Sequence, residues 1–294
     1  MTLQDKVAIV TGAGGGLGRS HALFLARHGA RVVVMDLGEG ADAVAREVEA
    51  AGGQAMAVRA SVTDEAQVAT MVKDVMARWG RIDILINNAG ILRDKTFAKM
   101  DLADFRLVMD VHLMGSVICT KAVWDIMREQ NHGRIVMTTS SSGLFGNFGQ
   151  ANYGAAKMAL VGFMQTLSLE GAKHDIKVNC LAPTAATQMT EGLMPEQALA
   201  ALKTEAVSEG LLALVRDDAP TRAILCAGAG HFERAYVTLT PGAFVGAGPQ
   251  AAEGVIASWD SISDRSADTV PEAGRAQGQQ ELQAAFAAAA LGQG

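Results

Sequence analysis

One tyrosine and one lysine stand in the run GNFGQANYGAAK, residues 146–157, among glycines and alanines. On a helix, positions four apart share a face one turn from each other, so Tyr153 and Lys157 place a phenol beside an ammonium. Only Gly154, Ala155 and Ala156 separate them, and such small neighbours leave room for something large against that face. A free tyrosine titrates near 10, so ionising it at neutral pH takes about three units, or roughly 4 kcal/mol. An ammonium about 5 Å away supplies roughly 3 kcal/mol at an effective dielectric of about 20, and a second nearby cation would supply a similar amount. The chemistry this pair makes possible is acid/base work, with the phenol taking a proton from, or giving one to, a bound partner. A lone Y-x-x-x-K also describes a helix-start tyrosine followed by a solvated lysine, so the rest of the chain has to decide.

A second chemical signal lies in TGAGGGLG, residues 11–18, directly after the apolar run VAIV. Between a strand and a helix, glycines permit positive φ and let the backbone approach a pyrophosphate, which then sits on the unpartnered amides of the helix start. Asp36 ends the next apolar run, where a carboxylate accepts both ribose hydroxyls of an adenosine. The same acid selects between cofactors. A 2′-phosphate about 4 Å from it meets a repulsion of about 4 kcal/mol per charge pair at an effective dielectric of about 20. Position 37 is Leu and Gly15 is not basic, so no cation compensates, and NAD is expected over NADP.

The elements that must position these residues follow from short apolar runs: VAIV (7–10), VVVM (32–35), IDILI (82–86), RIVM (134–137), KVNCL (177–181) and YVTL (236–239). Amphipathic stretches lie between them, several closed by a C′ glycine at Gly29, Gly52 and Gly80. Thr63 before Asp64 and Glu65 reads as a helix start. Such alternation predicts an α/β fold, a single doubly wound Rossmann-type parallel sheet with helices on both faces. Residues 1–248 form the expected dinucleotide-binding domain. After about Gly248 the chain turns rich in Ala, Gln and Gly, so 249–294 is expected to be an extension that packs on the domain or is partly mobile, with SWDSIS as an anchor.

Composition excludes several classes. With a net charge of −6 and no basic stripe, nucleic acid is not an expected partner. Cys119, Cys180 and Cys226 are odd in number and far apart, which fits free thiols in a reducing compartment, and none has metal-ligand spacing with the histidines. The start MTLQDKVAIV lacks the features of a signal peptide, no uninterrupted run reaches the roughly 18 apolar residues of a membrane helix, and LGQG is no peroxisomal address. Cytoplasm is the expected location, with no membrane partner.

TGxxxGxG at 11–18, NNAG at 87–90, a serine before the tyrosine, and YxxxK at 153–157 together resemble the short-chain dehydrogenase/reductase family. The resemblance implies a sheet of about seven strands. NNAGILRDKTFAKM, GNFGQANY, APTAATQMT and CAGAGHFERAYVTLT are most similar to one branch, which joins (3R)-hydroxyacyl-CoA dehydrogenases and 17β-hydroxysteroid dehydrogenase type 4. It covers residues 1 to about 265, since the W-x-x-I piece at Trp259–Ile262 recurs in that branch. The resemblance implies that Gly12, Gly16, Leu17 and Gly18 line the pyrophosphate, that Asp36, Ser61 and Val62 border the adenosine, and that Asn88, Ala89 and Gly90 run along the other ribose. Pro183, Thr184 and Thr187 would close over the nicotinamide, with Tyr153 and Lys157 also touching the cofactor. Ser140 matches the catalytic serine that holds the substrate oxygen beside Tyr153 and Lys157. Departures are Pro183–Thr184 where the family has PG, Ser61 where many members have aspartate, and His112 where an asparagine often completes the catalytic set. His112 is either a catalytic member or a packed helix histidine.

The expected substrate is small and lipid-like. Leu144, Phe145, Leu193, Met194 and Leu199 suit an acyl chain or a steroid body, with Thr184–Ser208 as a lid, and Arg93, Lys95 and Lys99 stand where a coenzyme A portion would pass. NAD-dependent oxidation of a (3R)-hydroxyacyl-CoA is the first reading and a free-steroid dehydrogenase the second. A non-catalytic dinucleotide-binding scaffold is the third, and the full Ser140–Tyr153–Lys157 set argues against it. Residues 101–129 and 151–170 are apolar beyond one face, which predicts a homodimer or homotetramer packed through them.

Overall fold

The computed structural model describes residues 2–186 and 196–291 of the chain. Two compact units divide it, Met1–Arg234 and Ala235–Gly294. The first unit is built on a parallel sheet. Strand β1 (Val7–Thr11) pairs with β2 (Arg31–Asp36) on one side and β4 (Ile84–Asn87) on the other, and β3 (Gln54–Arg59) lies beyond β2. On the far side of β4 follow β5 (Gly133–Thr138), β6 (Ile176–Thr184) and β7 (Ile224–Gly228), all parallel. A parallel sheet covered on both faces needs strands apolar all along, and Val32 through Met35 and Ile84 through Ile86 are wholly buried.

An eighth strand, β8 (His231–Ala235), follows β7 through a tight turn at Ala229 and Gly230 and gives the order β3-β2-β1-β4-β5-β6-β7-β8. Both turn residues have positive φ, as a two-residue hairpin turn requires. The expected strand at 236–239 is therefore corrected: the last parallel strand is Ile224–Gly228, and Leu239 makes only an isolated bridge to Thr269. Ile224 and Ala227 are buried, whereas Tyr236 and Val237 are largely exposed. The edge strand β3 carried no clear apolar run because its ends, Gln54 and Arg59, face solvent.

Helices α1 (Gly16–Arg27), α2 (Gly40–Ala50) and α3 (Glu65–Trp79) link the first strands. Gly29, Gly52 and Gly80 close them with positive φ. The cap of α3 lies one residue beyond the expected Thr63: Asp64 accepts from the Gln67 amide at 3.0 Å. Helix α4 (Leu102–Met109) runs through a π turn at Asp110–Met114 into α5 (Gly115–Gln130). The continuous helix Leu102–Gln130 is long and apolar enough to cross a membrane by length and composition, a test that core helices also pass. Asp110, His112 and Lys121 interrupt it, so no uninterrupted apolar run marks it in the sequence. After β5 come α6 (Ser141–Phe145) and α7 (Ala151–Gly171), and after β6 come α8 (Glu196–Ala201), α9 (Thr204–Ser208) and α10 (Leu211–Val215).

In the second unit, α11 (Ala251–Ala257), α12 (Trp259–Ile262) and α13 (Arg275–Leu291) surround the Leu239–Thr269 bridge. Thr240 Oγ1 donates to the Ile262 carbonyl at 2.7 Å, and Gln280 Nε2 donates to the carbonyls of Thr240 and Pro241, each at 2.9 Å. Side-chain and backbone hydrogen bonds thus give this unit, which the composition assigns partly to the main domain, an organisation of its own.

Candidate active site

The strand order reverses direction between β1 and β4, and in open parallel sheets ligands bind at the carboxyl ends of the strands at that point. One hydroxyl fastens the two strand ends. Thr11 Oγ1 accepts from the amides of Asn88 at 3.0 Å and Ala89 at 3.1 Å, and the Asn88 side-chain amide donates back to the carbonyls of Thr11 at 3.0 Å and Gly12 at 3.2 Å. The glycine loop fits over this fastening only without side chains. A Cβ on Gly12, whose φ is +63°, would lie 2.8 Å from Ala89 Cα, and one on Gly18 would lie 2.1 Å from the Gly12 carbonyl oxygen. Gly16 has φ +50° at the first position of α1, and Leu17 packs on the core. Helix α1 starts with no side-chain cap, so its first amides face the loop.

Asp36 is held rigidly beside this cradle. Its Oδ2 accepts from the Gly14 amide at 2.9 Å and its Oδ1 from the Gly38 amide at 3.0 Å. Gly40, which the sequence did not mark, lets α2 meet the loop, since a Cβ there would lie 2.3 Å from the Gly14 carbonyl oxygen. The Ser61 amide donates to Gln67 Oε1 at 2.8 Å, and Val62 packs where a Cβ on Gly115 would come within 2.6 Å. These features fit a nicotinamide dinucleotide: a loop in which Gly12, Gly14 and Gly18 have no room for a Cβ, a helix start without a cap, and a carboxylate fixed at the end of β2.

The carboxyl end of β5 and the first turns of α7 supply the second half. Lys157 is 3 % exposed and donates from Nζ to the Thr138 carbonyl at 2.6 Å. Thr139 Oγ1 donates to the Lys157 carbonyl at 2.6 Å, and Gly143 lets α6 close on α7, because a Cβ there would lie 2.8 Å from Lys157 Cβ. Ser140 Oγ accepts from the Ser142 amide at 3.2 Å and caps α6, and the same hydroxyl acts on the Tyr153 phenol so as to lower its pKa. The Tyr153 ring lies 5.5 Å from Lys157 Nζ. Ser140, Tyr153 and Lys157 are thereby brought together. Of the small residues between them, Gly154 lies against the Ser142 carbonyl, Ala156 is in the core and Ala155 is exposed.

Electrostatics differs from what spacing alone suggests. Burial pushes the Tyr153 phenol up, the hydrogen bond from Ser140 opposes it, and the Asp94 carboxylate adds to it. Burial also pushes the Lys157 ammonium down to about 7, with Cys180 opposing. The pair is a neutral phenol beside a lysine close to half-protonated at neutral pH, because removing both groups from water outweighs their attraction. Tyr153 is poised as a proton donor.

His112 sits in the π turn with its ring 5.2 Å from that of Tyr153, edge to face. Its Nε2 lies 2.8 Å from the Ile91 carbonyl and 3.0 Å from the Ile91 amide, and one nitrogen cannot serve both. The shorter contact assigns the proton to Nε2, donating to the carbonyl. Burial and then the Lys157 charge push His112 down to about 3, so it is neutral and holds the chain after Gly90 in place. Gly90 has to be glycine there, since a Cβ would lie 2.3 Å from His112 Cε1. Sequence reasoning missed Thr11, Gly40, Thr139 and Gly143, because each acts through a contact between distant segments. Pro183 and Thr184 end β6, and Thr184 packs where a Cβ on Gly228 would come within 2.9 Å. Leu144 and Leu199 are half-buried and Phe145 is exposed, while Thr187, Leu193 and Met194 lie outside the described residues. Arg93 and Lys95 are engaged by acids, Arg93 with Asp104 at 3.7 Å and Lys95 with Asp101 at 3.1 Å, whereas Lys99 has no ion pair among the described residues.

An alcohol or ketone oxygen brought to Ser140 and Tyr153 would lie beside whatever the glycine cradle holds, which defines the class as a Rossmann-type oxidoreductase. A family model described as short chain dehydrogenase matches residues 6–198, and the chain belongs to that family, whose fold binds a nicotinamide dinucleotide. The chain is 43 % identical over 275 residues to a short-chain type dehydrogenase/reductase of Mycobacterium tuberculosis, covering 90 % of this chain and 96 % of that one. Full-length peroxisomal multifunctional enzyme type 2 from Drosophila melanogaster superposes with a TM-score of 0.82 at 35 % identity, covering 97 % of this chain. This chain spans 50 % of that larger enzyme. A 7α-hydroxysteroid dehydrogenase complexed with NADH and 7-oxo glycochenodeoxycholic acid superposes with a TM-score of 0.72 at 28 % identity, covering 78 % of this chain and 94 % of that one.

The buried lysine has a measurable consequence. Its folded-state value of about 7 lies below the ordinary 10.5, so between these limits the unfolded chain binds more protons and stability rises with pH. The penalty is full below pH 7 and fades toward pH 10.5. Lys157→Met is expected to raise Tm by a few degrees at pH 6, by less at pH 9, and to abolish turnover. Calorimetry at the two pH values checks this, and a Tm gain that is equal at both would count against it.

Proposed function

We propose that this short-chain oxidoreductase is NAD-dependent and interconverts a (3R)-hydroxyacyl-CoA and its 3-keto form. The observation that carries the reaction is the convergence of Ser140, Tyr153 and buried Lys157 at the end of β5, next to the glycine cradle. A bound nicotinamide dinucleotide supplies hydride transfer and, when oxidised, a positive charge. Ser140 hydrogen-bonds the substrate oxygen. Tyr153 donates its proton to a ketone oxygen, or accepts the proton of an alcohol, at the same position. Lys157 spends one N–H on Thr138, which leaves two for the nicotinamide ribose and keeps a cation near the phenolate that forms. His112 keeps the Gly90–Ile91 backbone fixed, where it would border the ribose of a bound cofactor.

NAD over NADP rests on Asp36, whose carboxylate is pinned by two loop amides and cannot swing away from an added 2′-phosphate. A preference of at least about a hundredfold in kcat/KM is expected. Asp36→Asn removes the charge while keeping an acceptor for one of the two amides, and should narrow the ratio by about tenfold or more. A wild-type enzyme that prefers NADPH in steady-state assays would overturn this assignment.

The acyl substrate rests on the likeness to multifunctional enzyme type 2 and on exposed apolar groups, Phe145 and Phe148, in the segment between Ser140 and Tyr153. With Arg93 and Lys95 paired to acids, only Lys99 of the three expected cations is available to a coenzyme A phosphate. The structural likeness to the 7α-hydroxysteroid dehydrogenase supports the second reading, a free steroid. Comparing kcat/KM for (3R)- and (3S)-hydroxyacyl-CoA with that for estradiol separates them: the (3R) thioester is expected to lead, and estradiol far ahead of both would give the steroid reading. Tyr153→Phe should lose at least about a hundredfold in turnover while NAD affinity holds.

The assembly we propose is a dimer or tetramer through the continuous helix Leu102–Gln130 and α7, where Leu102 and Leu107 of α4, Met114 of the π turn, and Met158 and Leu169 of α7 are exposed. Light scattering at micromolar concentration should give at least twice the chain mass, and a monomer would refute the interface.

A further inference from the structure

The loop that leaves β4 after Gly90 is stitched to the start of α7, and one side chain of that seam binds the backbone of Tyr153 itself. Asn152 is wholly buried. Its Oδ1 accepts from the Tyr153 amide at 2.7 Å, and its Nδ2 donates to the Arg93 carbonyl at 3.0 Å. Because α7 begins at Ala151, the Tyr153 amide is among the first of the helix, which have no carbonyl one turn back to bind. The next amide, of Gly154, is met by the Gln150 carbonyl at 2.7 Å. A carboxamide accepts with its oxygen and donates with its nitrogen, so one asparagine satisfies both the amide and the carbonyl. An aspartate would set an oxygen against the Arg93 carbonyl, and a leucine would meet neither group.

Arg93 lies two residues beyond Ile91, whose carbonyl takes His112 Nε2 at 2.8 Å. The His112 ring also packs edge to face on the Tyr153 ring, 5.2 Å away. Two buried side chains therefore hold this loop at one end and Tyr153 at the other, His112 at the ring and Asn152 at the amide. Further along, the seam continues without touching Tyr153. The Lys95 amide donates to the Gly149 carbonyl at 3.0 Å, and Gln150 Nε2 donates to Asp94 Oδ2 at 2.6 Å. If Asn152 lost its hold, these contacts and His112 would still keep the loop in place, whereas the Tyr153 amide would lose its partner.

We propose that Asn152 is a positioning residue of this oxidoreductase: by binding the Tyr153 amide and the Arg93 carbonyl at once, it fixes the proton-transferring phenol relative to the loop that would border the cofactor's ribose. The proposal rests on the acid/base role of Tyr153 given above. The phenolic oxygen stands at the far end of a rigid ring, so a small tilt of the backbone at Tyr153 is carried out to the reacting atom. A misplacement of about 1 Å costs on the order of a hundredfold in rate, because proton and hydride transfer need one shared geometry. Asn152 touches neither substrate nor cofactor in this role and acts through Tyr153.

The test uses the full chain with the substrate of the panel above that is turned over fastest. Asn152→Leu keeps the approximate shape and removes both hydrogen bonds. Asn152→Asp keeps an acceptor for the Tyr153 amide and removes the donor to Arg93, and it serves as the second variant should the first not fold. Gln150→Leu is the control, since it opens the same seam at Asp94 and leaves the Tyr153 amide alone. Steady-state kcat and fluorescence titration with NADH separate the outcomes. In the Asn152 variants kcat is expected to fall by about fivefold or more while NADH affinity stays within about threefold of wild type. In Gln150→Leu kcat is expected to fall by less than about threefold. A smaller loss of kcat in the Asn152 variants would overturn the proposal. So would a loss matched by the control or by an equal loss of NADH affinity, because either would make Asn152 a general brace of the seam. A Tyr153→Phe variant that retains turnover would overturn the acid/base reading itself, an outcome seen in a different variant and so distinguishable from the first.

Discussion

Lys157 carries a cationic side chain into a place where water does not reach, and the site is arranged around that constraint. Desolvation of an ammonium is offset only by good hydrogen bonding, and here a carbonyl of the last residue of β5 meets Nζ directly. For that contact to form, α7 must lie close to β5, which the Thr139 hydroxyl and the missing side chain of Gly143 enforce. The same closeness draws Tyr153 to Ser140. The juxtaposition of Ser140, Tyr153 and Lys157 is thus a by-product of housing one lysine. The weakened hold of that lysine on its proton leaves the chain sensitive to a cation supplied from outside, so a positively charged ring beside Tyr153 has more influence than it would in a site already rich in charge.

Where chemistry demands a residue type, the sequence was readable. Tyr153, Lys157, Ser140, the glycines of the first loop and Asp36 stand out because few other side chains can do their work, and the structure brings them to one end of one sheet. The apolar runs of β1, β2, β4, β5 and β6 were readable for a related reason: a strand buried on both faces is mostly apolar along its length, with Arg134 in β5 and Lys177 and Asn179 in β6 as interruptions. The strand at 236–239 failed that criterion in space rather than in composition. Its side chains have no sheet to enter once Ala229 and Gly230 turn the chain back.

What the sequence hid are relations between segments far apart along the chain. Thr11 looks like the end of a strand, yet its hydroxyl joins the first and fourth strands at the point where a ligand must lie. Gly40 and Gly143 resemble ordinary helix-end and loop glycines until the neighbouring backbone is placed against them. The balance between Tyr153 and Lys157 was hidden in the same way. Spacing gives their separation, but burial, which decides their protonation, is a property of everything packed over them.

The π turn at Asp110–Met114 has a consequence for how this protein can change over time. A π turn holds one residue more than the α-helical turn it replaces, so the chain on one side is rotated by about 100° relative to an uninterrupted helix. His112 reaches Ile91 from within that extra residue's span. Loss of a single codon in the turn would let it relax to an ordinary α-helical turn with α4 and α5 still presenting their present faces, whereas the same loss inside α4 or α5 would rotate part of the helix by about 100°. What such a loss removes is the span from which His112 reaches Ile91, so the extra residue is tied to the histidine rather than to the packing of the two helices. Lineages that share the histidine are therefore also expected to share the length of the helix around it.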